Sequence, residues 1–323
     1  MRDRLGREID YLRVSVTDRC NLRCLYCLPP EGVRPKDHEE ILRYEEIVHL
    51  VKVAAGLGIR RVRLTGGEPL VRAGLTQLVA ELAAIPGLSD LSLTTNGTLL
   101  APLAEELKRA GLKRVNISLD TLRPERFRAI TRCGTFSDAW AGIEAALAAG
   151  LHPVKINTVA MAGVNDDELA DLAELTRRFP LHVRFIEVMP LGADLGRSEA
   201  RVLPMATVRA AVEKVGRLEP AWVTGGGPAR AWRFPGAPGT VGFIGALTES
   251  FCKRCNRLRL TADGKLKPCL ASDVEVDVKR LLRRGASADE LKEALRRALE
   301  LKPARHHLEN YAKHARVMCQ IGG

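Results

Sequence analysis

The eight cysteines of this 323-residue chain are grouped: Cys20, Cys24 and Cys27 lie together, Cys133 stands alone, Cys252, Cys255 and Cys269 form a second set, and Cys319 lies near the end. Clustered cysteines in a large chain without a secretory signal are better suited to metal than to disulfides. Two triplets imply two metal sites. Three thiolates can hold three irons of a [4Fe–4S] cluster and leave the fourth iron open to a small molecule. Structural zinc, which takes four ligands, is the alternative at each place, with His38 as the nearest extra ligand for the first triplet and His306 or His307 for the second. Cys133 and Cys319 are surplus and read as inert thiols.

Two further patterns carry chemistry. Gly66-Gly67-Glu68-Pro69 offers two glycines that let backbone approach a ligand, and a carboxylate that can accept from an ammonium; an ordinary Gly-Gly-Pro turn is the plain alternative. Arg257-x-Arg259, between the halves of the second triplet, places two guanidinium groups on one face of a strand, where they could meet phosphate or carboxylate. A solvated strand face explains the same spacing.

These residues need elements to position them. Alternating or apolar segments predict strands at Tyr11–Thr17, Arg60–Thr65, Asp90–Thr95, Arg114–Leu119, Pro153–Ala160 and His182–Glu187. Amphipathic spacing predicts helices between them at Tyr44–Leu57, Ala73–Ile85, Pro102–Ala110, Ser137–Ala149 and Asp166–Arg178. Repeated βα units without a clear seventh and eighth strand predict an α/β fold, an incomplete (β/α)6-type TIM barrel, with a doubly wound sheet as the alternative. The first triplet then falls in the loop after the first strand, on the face where such barrels carry their chemistry. After about Ala200 the rhythm changes. A helix near Met205–Val215 leads into a Gly/Pro-rich stretch, Thr224–Gly242, then strand-like pieces at Asn256–Thr261 and Lys265–Leu270 around the turn Ala262-Asp263-Gly264-Lys265, which brings Cys269 back towards Cys252. Helices are expected at Val276–Arg283 and Ala288–Leu299. The division is residues 1–215 as barrel and 216–323 as a smaller α+β unit holding the second metal site.

Composition narrows the function classes. With 46% hydrophobic and 28% charged residues the chain is globular, and no apolar run reaches the roughly 18 residues of a membrane span. The charged N-terminus has no apolar signal stretch, so a cytoplasmic protein is expected, with no membrane partner. A net charge of +11 favours an anionic partner. A zinc-containing nucleic-acid binder would meet that charge, but aromatic residues for base stacking are only 4% and no four-ligand finger spacing occurs.

Cys20-x3-Cys24-x2-Cys27 with Tyr26 before the last cysteine, followed by Gly66-Gly67-Glu68-Pro69, resembles the signature of radical S-adenosylmethionine (SAM) enzymes. Within that superfamily the whole chain resembles the GTP 3′,8-cyclase family, whose product starts molybdenum cofactor biosynthesis. The resemblance rests on Leu12 to Asn21, Arg63 to Pro69, Thr94-Thr95-Asn96-Gly97, Asn116 to Asp120, Lys155-Ile156-Asn157, Arg184 to Met189, Phe251 to Arg259 and the terminal Ile321-Gly322-Gly323. Arg61 stands where Lys is expected in relatives.

The resemblance implies two [4Fe–4S] clusters, one on Cys20, Cys24 and Cys27 and one on Cys252, Cys255 and Cys269. SAM would be cleaved at the first to a 5′-deoxyadenosyl radical that takes hydrogen from ribose C3′ of GTP, and the C3′ radical would attack guanine C8. SAM contacts fall on Tyr26, Gly67, Glu68, Ser118 and Met189. GTP contacts fall on Arg13, Arg63, Thr94, Lys155, Arg257, Leu258 and Arg259, with the guanine at the open iron of the second cluster. Gly322 and Gly323 form a tail that enters the active site. The resemblance also implies an electron donor and a following enzyme that takes the product, and it leaves a homodimer open. A radical SAM peptide maturase with an auxiliary cluster is the rival enzyme; Arg257-x-Arg259 and the diglycine end are what a peptide substrate would not explain.

Overall fold

The computed structural model describes residues 1–189, 201–306, 308 and 316–322. Six parallel strands lie side by side in chain order: β1 Tyr11–Ser15, β2 Arg61–Thr65, β3 Asp90–Thr95, β4 Arg114–Ser118, β5 Val154–Ala160 and β6 Leu181–Glu187. Helices cross between them at Tyr44–Gly56, Leu75–Ala83, Ala104–Arg109, Phe136–Ala148 and Leu169–Arg178. This is the predicted partial barrel. Its strands alternate by residue type: Leu12, Val14, Val62, Leu64, Leu91, Leu93, Val115 and Ile117 are buried in one hydrophobic core, while Arg13, Arg63, Ser92 and Asn116 occupy the intervening positions. Period-two geometry therefore sends the apolar set outward under the helices and the polar set into the barrel.

The remaining strands are β7 Glu219–Ala221, β8 Arg230–Arg233, β9 Thr240–Ile244, β10 Arg257–Leu260, β11 Lys265–Lys267 and β12 Val276–Asp277. They extend the same sheet at both edges, in the order β12-β11-β10-β1-β2-β3-β4-β5-β6-β9-β8-β7. Strands β10 and β9 run parallel to β1 and β6, so eight adjacent strands share one direction. The seventh and eighth parallel strands, which the βα rhythm does not supply, come from the last third of the chain.

Several local expectations are corrected. The stretch 224–242 contains β8 and the start of β9; the apolar residues Val241 and Phe243 pack against Val183 and Phe185 of β6 in spite of the intervening Gly242. Val276–Asp277 is a strand, not a helix start, because it pairs with β11, and the helix begins at Lys279. A helix at Pro124–Thr131, absent from the sequence reading, starts on a proline and ends at Arg132 with φ 61°. Leu258, expected to meet substrate, lies fully buried on the core face of β10, because its parity is opposite to that of Arg257 and Arg259. No helix among the described residues is long and apolar enough to cross a membrane.

The seam between β6 and β9 gives a pH test. His182 Nδ1 lies 2.8 Å from Thr240 Oγ1 across it. Burial, then Lys155, Arg184 and Arg233, hold the His182 ring down at about 4, below its ordinary 6.5. The unfolded chain thus binds a proton that the folded chain refuses, and stability present above pH 6.5 is lost as pH falls towards 4. Allowing for solvent screening, the loss is about 2 kcal/mol. Urea melts of the anaerobically purified protein should show that slope, and His182→Asn should flatten it. An unchanged slope in the variant would assign it to other groups.

Candidate functional site

A cavity of about 310 Å³ opens at the C-terminal ends of the parallel strands, and all six triplet cysteines line it. Cys20, Cys24 and Cys27 sit in the loop after β1. That loop is propped by the unforeseen helix: Arg23 and Leu25 amides donate to Thr131 and Ile130 carbonyls, and Arg132 donates to the carbonyls of Arg23 and Leu28. Burial pushes Cys20 up to about 11 and raises Cys24 and Cys27 well above the ordinary thiol range. Such thiols ionise when a metal supplies the compensating charge. Among the described residues no three His, Cys, Asp or Glu side chains are gathered tightly enough for one metal ion. Three thiols at each site with no fourth convergent donor among the described residues suit a cluster that keeps one iron open better than zinc, which takes four ligands.

Gly66 and Gly67 both line the cavity, and they serve a second closeness besides the one expected. A Cβ on Gly67 would lie 2.2 Å from the Arg19 carbonyl oxygen, and one on Gly66 2.6 Å from that of Thr17. The glycines therefore let two loops touch. Glu68, expected to accept from an ammonium, is buried and takes hydrogen bonds from Leu70 N (3.0 Å), Thr95 Oγ1 (2.7 Å) and Asn96 N (2.7 Å). Three of its roughly four lone-pair sites are thus filled, so it orders the loop, and it also lines the cavity. Tyr26 donates to Asp120 Oδ2 at 2.8 Å, and Val159 N donates to Oδ1 of the same carboxylate. Burial raises Asp120 to about 6. Asp120, Asn157, Glu187 and Lys302 were not singled out from sequence as site residues. Ser118, Met189, Thr94 and Tyr26 line the cavity as expected.

On the opposite wall, burial raises Cys255 while Arg257 and Lys302 overturn that and bring it down to about 7. Lys302 is buried and donates to the carbonyls of Arg257 and Pro268 at 2.7 Å each, so it ties the two halves of the second triplet. His306 is not available to zinc: Nε2 donates to Ala246 O at 2.8 Å and Nδ1 accepts from Leu308 N. His307 lies outside the described residues. Cys133 donates to Asn21 O at 3.3 Å and is not part of the cavity wall, whereas Cys319 is buried in it.

Between the two triplets the barrel interior is cationic. Register sets Arg259, Arg13 and Arg63 directly beside one another on β10, β1 and β2. Like charges at such positions destabilise a sheet. Burial, followed by Arg259 and Arg63, depresses Arg13 strongly; burial also brings Arg63 to about 10 and Arg184 to about 9. The buried nitrogens Arg63 Nη2 and Arg184 Nε have no hydrogen-bond partner. Among the described residues only Glu68 and Glu187 are carboxylates on this wall. Glu187 is taken by Met205 N (3.0 Å), Leu247 N (2.7 Å) and Thr248. Lys155, expected at the substrate, lies outside the main cavity: it lines a second cavity of about 220 Å³ at the strand N-termini and donates to Thr224 O at 2.6 Å.

The C-terminal turn enters the barrel. The short helix Met318–Ile321 carries Cys319 to the cavity, and Gly322 O accepts from Arg13 Nη2 (3.2 Å) and Arg259 Nη1 (3.0 Å). Gly322 has φ 73°, and a Cβ there would meet Thr65 Cγ2 at 3.0 Å and Ser15 Cβ at 3.1 Å. Gly323 lies outside the described residues.

Comparisons with known proteins agree with this arrangement. The Radical SAM superfamily model matches residues 14–176, and the Molybdenum Cofactor Synthesis C model matches residues 181–308. The chain is 56% identical to a GTP 3′,8-cyclase of Heliobacterium modesticaldum and 56% identical to one of Moorella thermoacetica, each match covering 100% of both chains. A relative of the same name from Petrotoga mobilis is 52% identical over the full length of both. Among solved structures, Streptococcus suis SuiB bound to S-adenosylmethionine superposes with a TM-score of 0.58 over 90% of this chain and 68% of that one, at 14% identity. Methylornithine synthase gives 0.50 over 65% and 64%, at 17% identity. These two likenesses show the fold.

Proposed function

The chain belongs to the radical SAM superfamily and within it to the GTP 3′,8-cyclase family, and from that premise we propose that it converts GTP to (8S)-3′,8-cyclo-7,8-dihydroguanosine 5′-triphosphate in molybdenum cofactor biosynthesis. The observation that carries the substrate reading is the set of buried guanidinium groups between the two triplets, with Arg63 Nη2 and Arg184 Nε unpartnered. Buried cations need an anion, and a triphosphate supplies one. A peptide substrate would leave them unexplained.

The residues present suit a cluster at each triplet: Cys20, Cys24 and Cys27 would hold one, and Cys252, Cys255 and Cys269 the other. Bound there, the first cluster and SAM would supply the electron and the 5′-deoxyadenosyl radical, and the second an open iron for the guanine. What the chain itself contributes is placement. Residues 1–215 hold Tyr26, Gly67, Ser118 and Met189 at the SAM side; residues 216–323 bring Arg257 and Arg259 to the nucleotide side. Arg13, Arg63, Arg257 and Arg259 would fix the phosphates between them, and Thr94, near the end of β3, would contact the rest of the nucleotide. Holding both reactants in one cavity lowers the barrier through orientation. Core burial around the cysteine loop excludes water from the radical step. The reductant and the enzyme that takes the product are further partners, in the cytoplasm.

Anaerobic incubation with SAM, a reductant and each nucleoside triphosphate in turn should give 5′-deoxyadenosine and a cyclised nucleotide with GTP. Cyclised product from another nucleotide, or 5′-deoxyadenosine only with a peptide, would overturn the assignment.

A further inference from the structure

The chain leaving the helix Ala288–Glu300 wraps the second cysteine set. Lys302 is 2% exposed, and its ammonium donates to Arg257 O and Pro268 O, carbonyls that lie beside Cys255 and Cys269 in the sequence. His306 N donates to Cys252 Sγ at 3.4 Å, while its ring is anchored on Ala246 O at 2.8 Å. Arg7 fixes the same stretch from the other side, with Nη1 on Cys252 O (2.9 Å) and Nη2 on Pro303 O (2.8 Å). Residues 302–306 thus reach the surroundings of all three thiols. The charge there does not balance without them. Arg7 is neutralised by Asp3 at 2.6 Å. Arg257, the other cation beside Cys255, faces the cavity over the ring of Phe251 at 4.9 Å. Lys302 meets only neutral carbonyls, and Glu68 and Glu187, the carboxylates on the described cavity wall, are held by other donors. A buried ammonium needs an anion. Burial pulls the Lys302 ammonium down, and Cys255 and Cys269 are the negative groups that favour its charge.

We propose that Lys302 is the built-in counter-charge of the second cluster and, with the His306 N–H on Cys252 Sγ, sets that cluster's reduction potential. The inference rests on a cluster being held by Cys252, Cys255 and Cys269. A [4Fe–4S] cluster on three thiolates is net negative and becomes more so on gaining an electron. A fixed positive charge at its edge therefore favours the reduced form and raises the potential, and a hydrogen bond to a ligating sulfur acts in the same direction. Solvent would screen an exposed lysine, whereas a buried one keeps much more of its effect. The two carbonyls hold the ammonium in one place, so Lys302 is a positioning residue that acts through the cluster.

Redox titration of the holoenzyme followed by electron paramagnetic resonance reads the effect, with Cys255→Ala identifying the transition of the second cluster. Lys302→Gln keeps two N–H donors for the carbonyls but removes the charge, and Lys302→Arg keeps both. In Lys302→Gln the second cluster should be about tenfold harder to reduce, a fall of about 59 mV for one electron. The first cluster should stay at its wild-type potential in both variants, and Lys302→Arg should leave the second there as well. Loss of the second cluster from Lys302→Gln with its retention in Lys302→Arg, read from iron content, would also support the counter-charge. An unshifted second cluster in Lys302→Gln, an equal shift of both clusters, or loss of the second cluster from both variants would overturn it. A wild type with iron for one cluster, and no transition lost in Cys255→Ala, would instead overturn the second cluster itself.

Discussion

Cys24→Ala yields protein with about half the wild-type iron and with reductive SAM cleavage lowered on the order of 10³-fold or more, because one cluster is lost and with it the iron that meets SAM. Cys255→Ala loses a similar amount of iron but retains SAM cleavage in the absence of nucleotide, and loses GTP turnover. The asymmetry follows from position: Cys24 lies on the wall with Tyr26, Gly67 and Ser118, whereas Cys255 lies beside Arg257 and Lys302. Iron analysis, 5′-deoxyadenosine assays with and without GTP, and circular dichroism separate cluster loss from misfolding. Equal loss of nucleotide-independent SAM cleavage in both variants, with the first cluster intact in Cys255→Ala, would contradict the division.

Removing Gly322 and Gly323 leaves both clusters in place and lowers the melting temperature by only about a few degrees, since two glycines bury almost no apolar area and the loss is confined to the two hydrogen bonds at Gly322 O. Turnover of GTP nevertheless falls about 100-fold, because Gly322 O bridges Arg13 and Arg259 and helps fix their guanidinium groups. A guanidinium has five donors, so each arginine can serve both the tail and a phosphate. Gly322→Ala should lose activity in the same direction, as its Cβ would press on Thr65 and Ser15 at a left-handed φ. A truncated enzyme that makes cyclised product at the full-length rate would reduce the tail to a frayed end.

Strands β1–β6 were legible because their alternation is set by one core on the outside and one cavity on the inside; that same alternation places Arg13, Arg63 and Arg184 on the barrel-facing side. Both cysteine triplets were legible from spacing, and the structure brings them to one cavity. What sequence did not reveal depends on distant partners. Strand β9 hides among Gly and Pro because Gly242 is there to make room for Arg184, whose Cγ lies 3.1 Å from where a Cβ would stand. The helix Pro124–Thr131 is strongly polar and has its main role in propping a loop a hundred residues earlier. Leu258 was drawn in with its neighbours, although strand parity sends it to the core. Lys302 and Cys319 carry no local signal, since what they meet comes from other segments.

The two edges of the six-strand sheet are covered by strands made late. Tyr11 of β1 pairs with Arg257 of β10, and the flanking bond from Asn256 to Asp10 spans 246 residues. While the ribosome is still producing the first two-thirds of the chain, β1 and β6 present open parallel edges with no partner. Such edges template association with other chains, and long-range parallel pairing is slow to form. The nascent polypeptide thus passes through an aggregation-exposed stage that ends when the last third docks on both sides. Closure of β10 onto β1 also carries the second cysteine set to the barrel, so completion of the sheet and assembly of the two-cluster cavity are a single event in biogenesis.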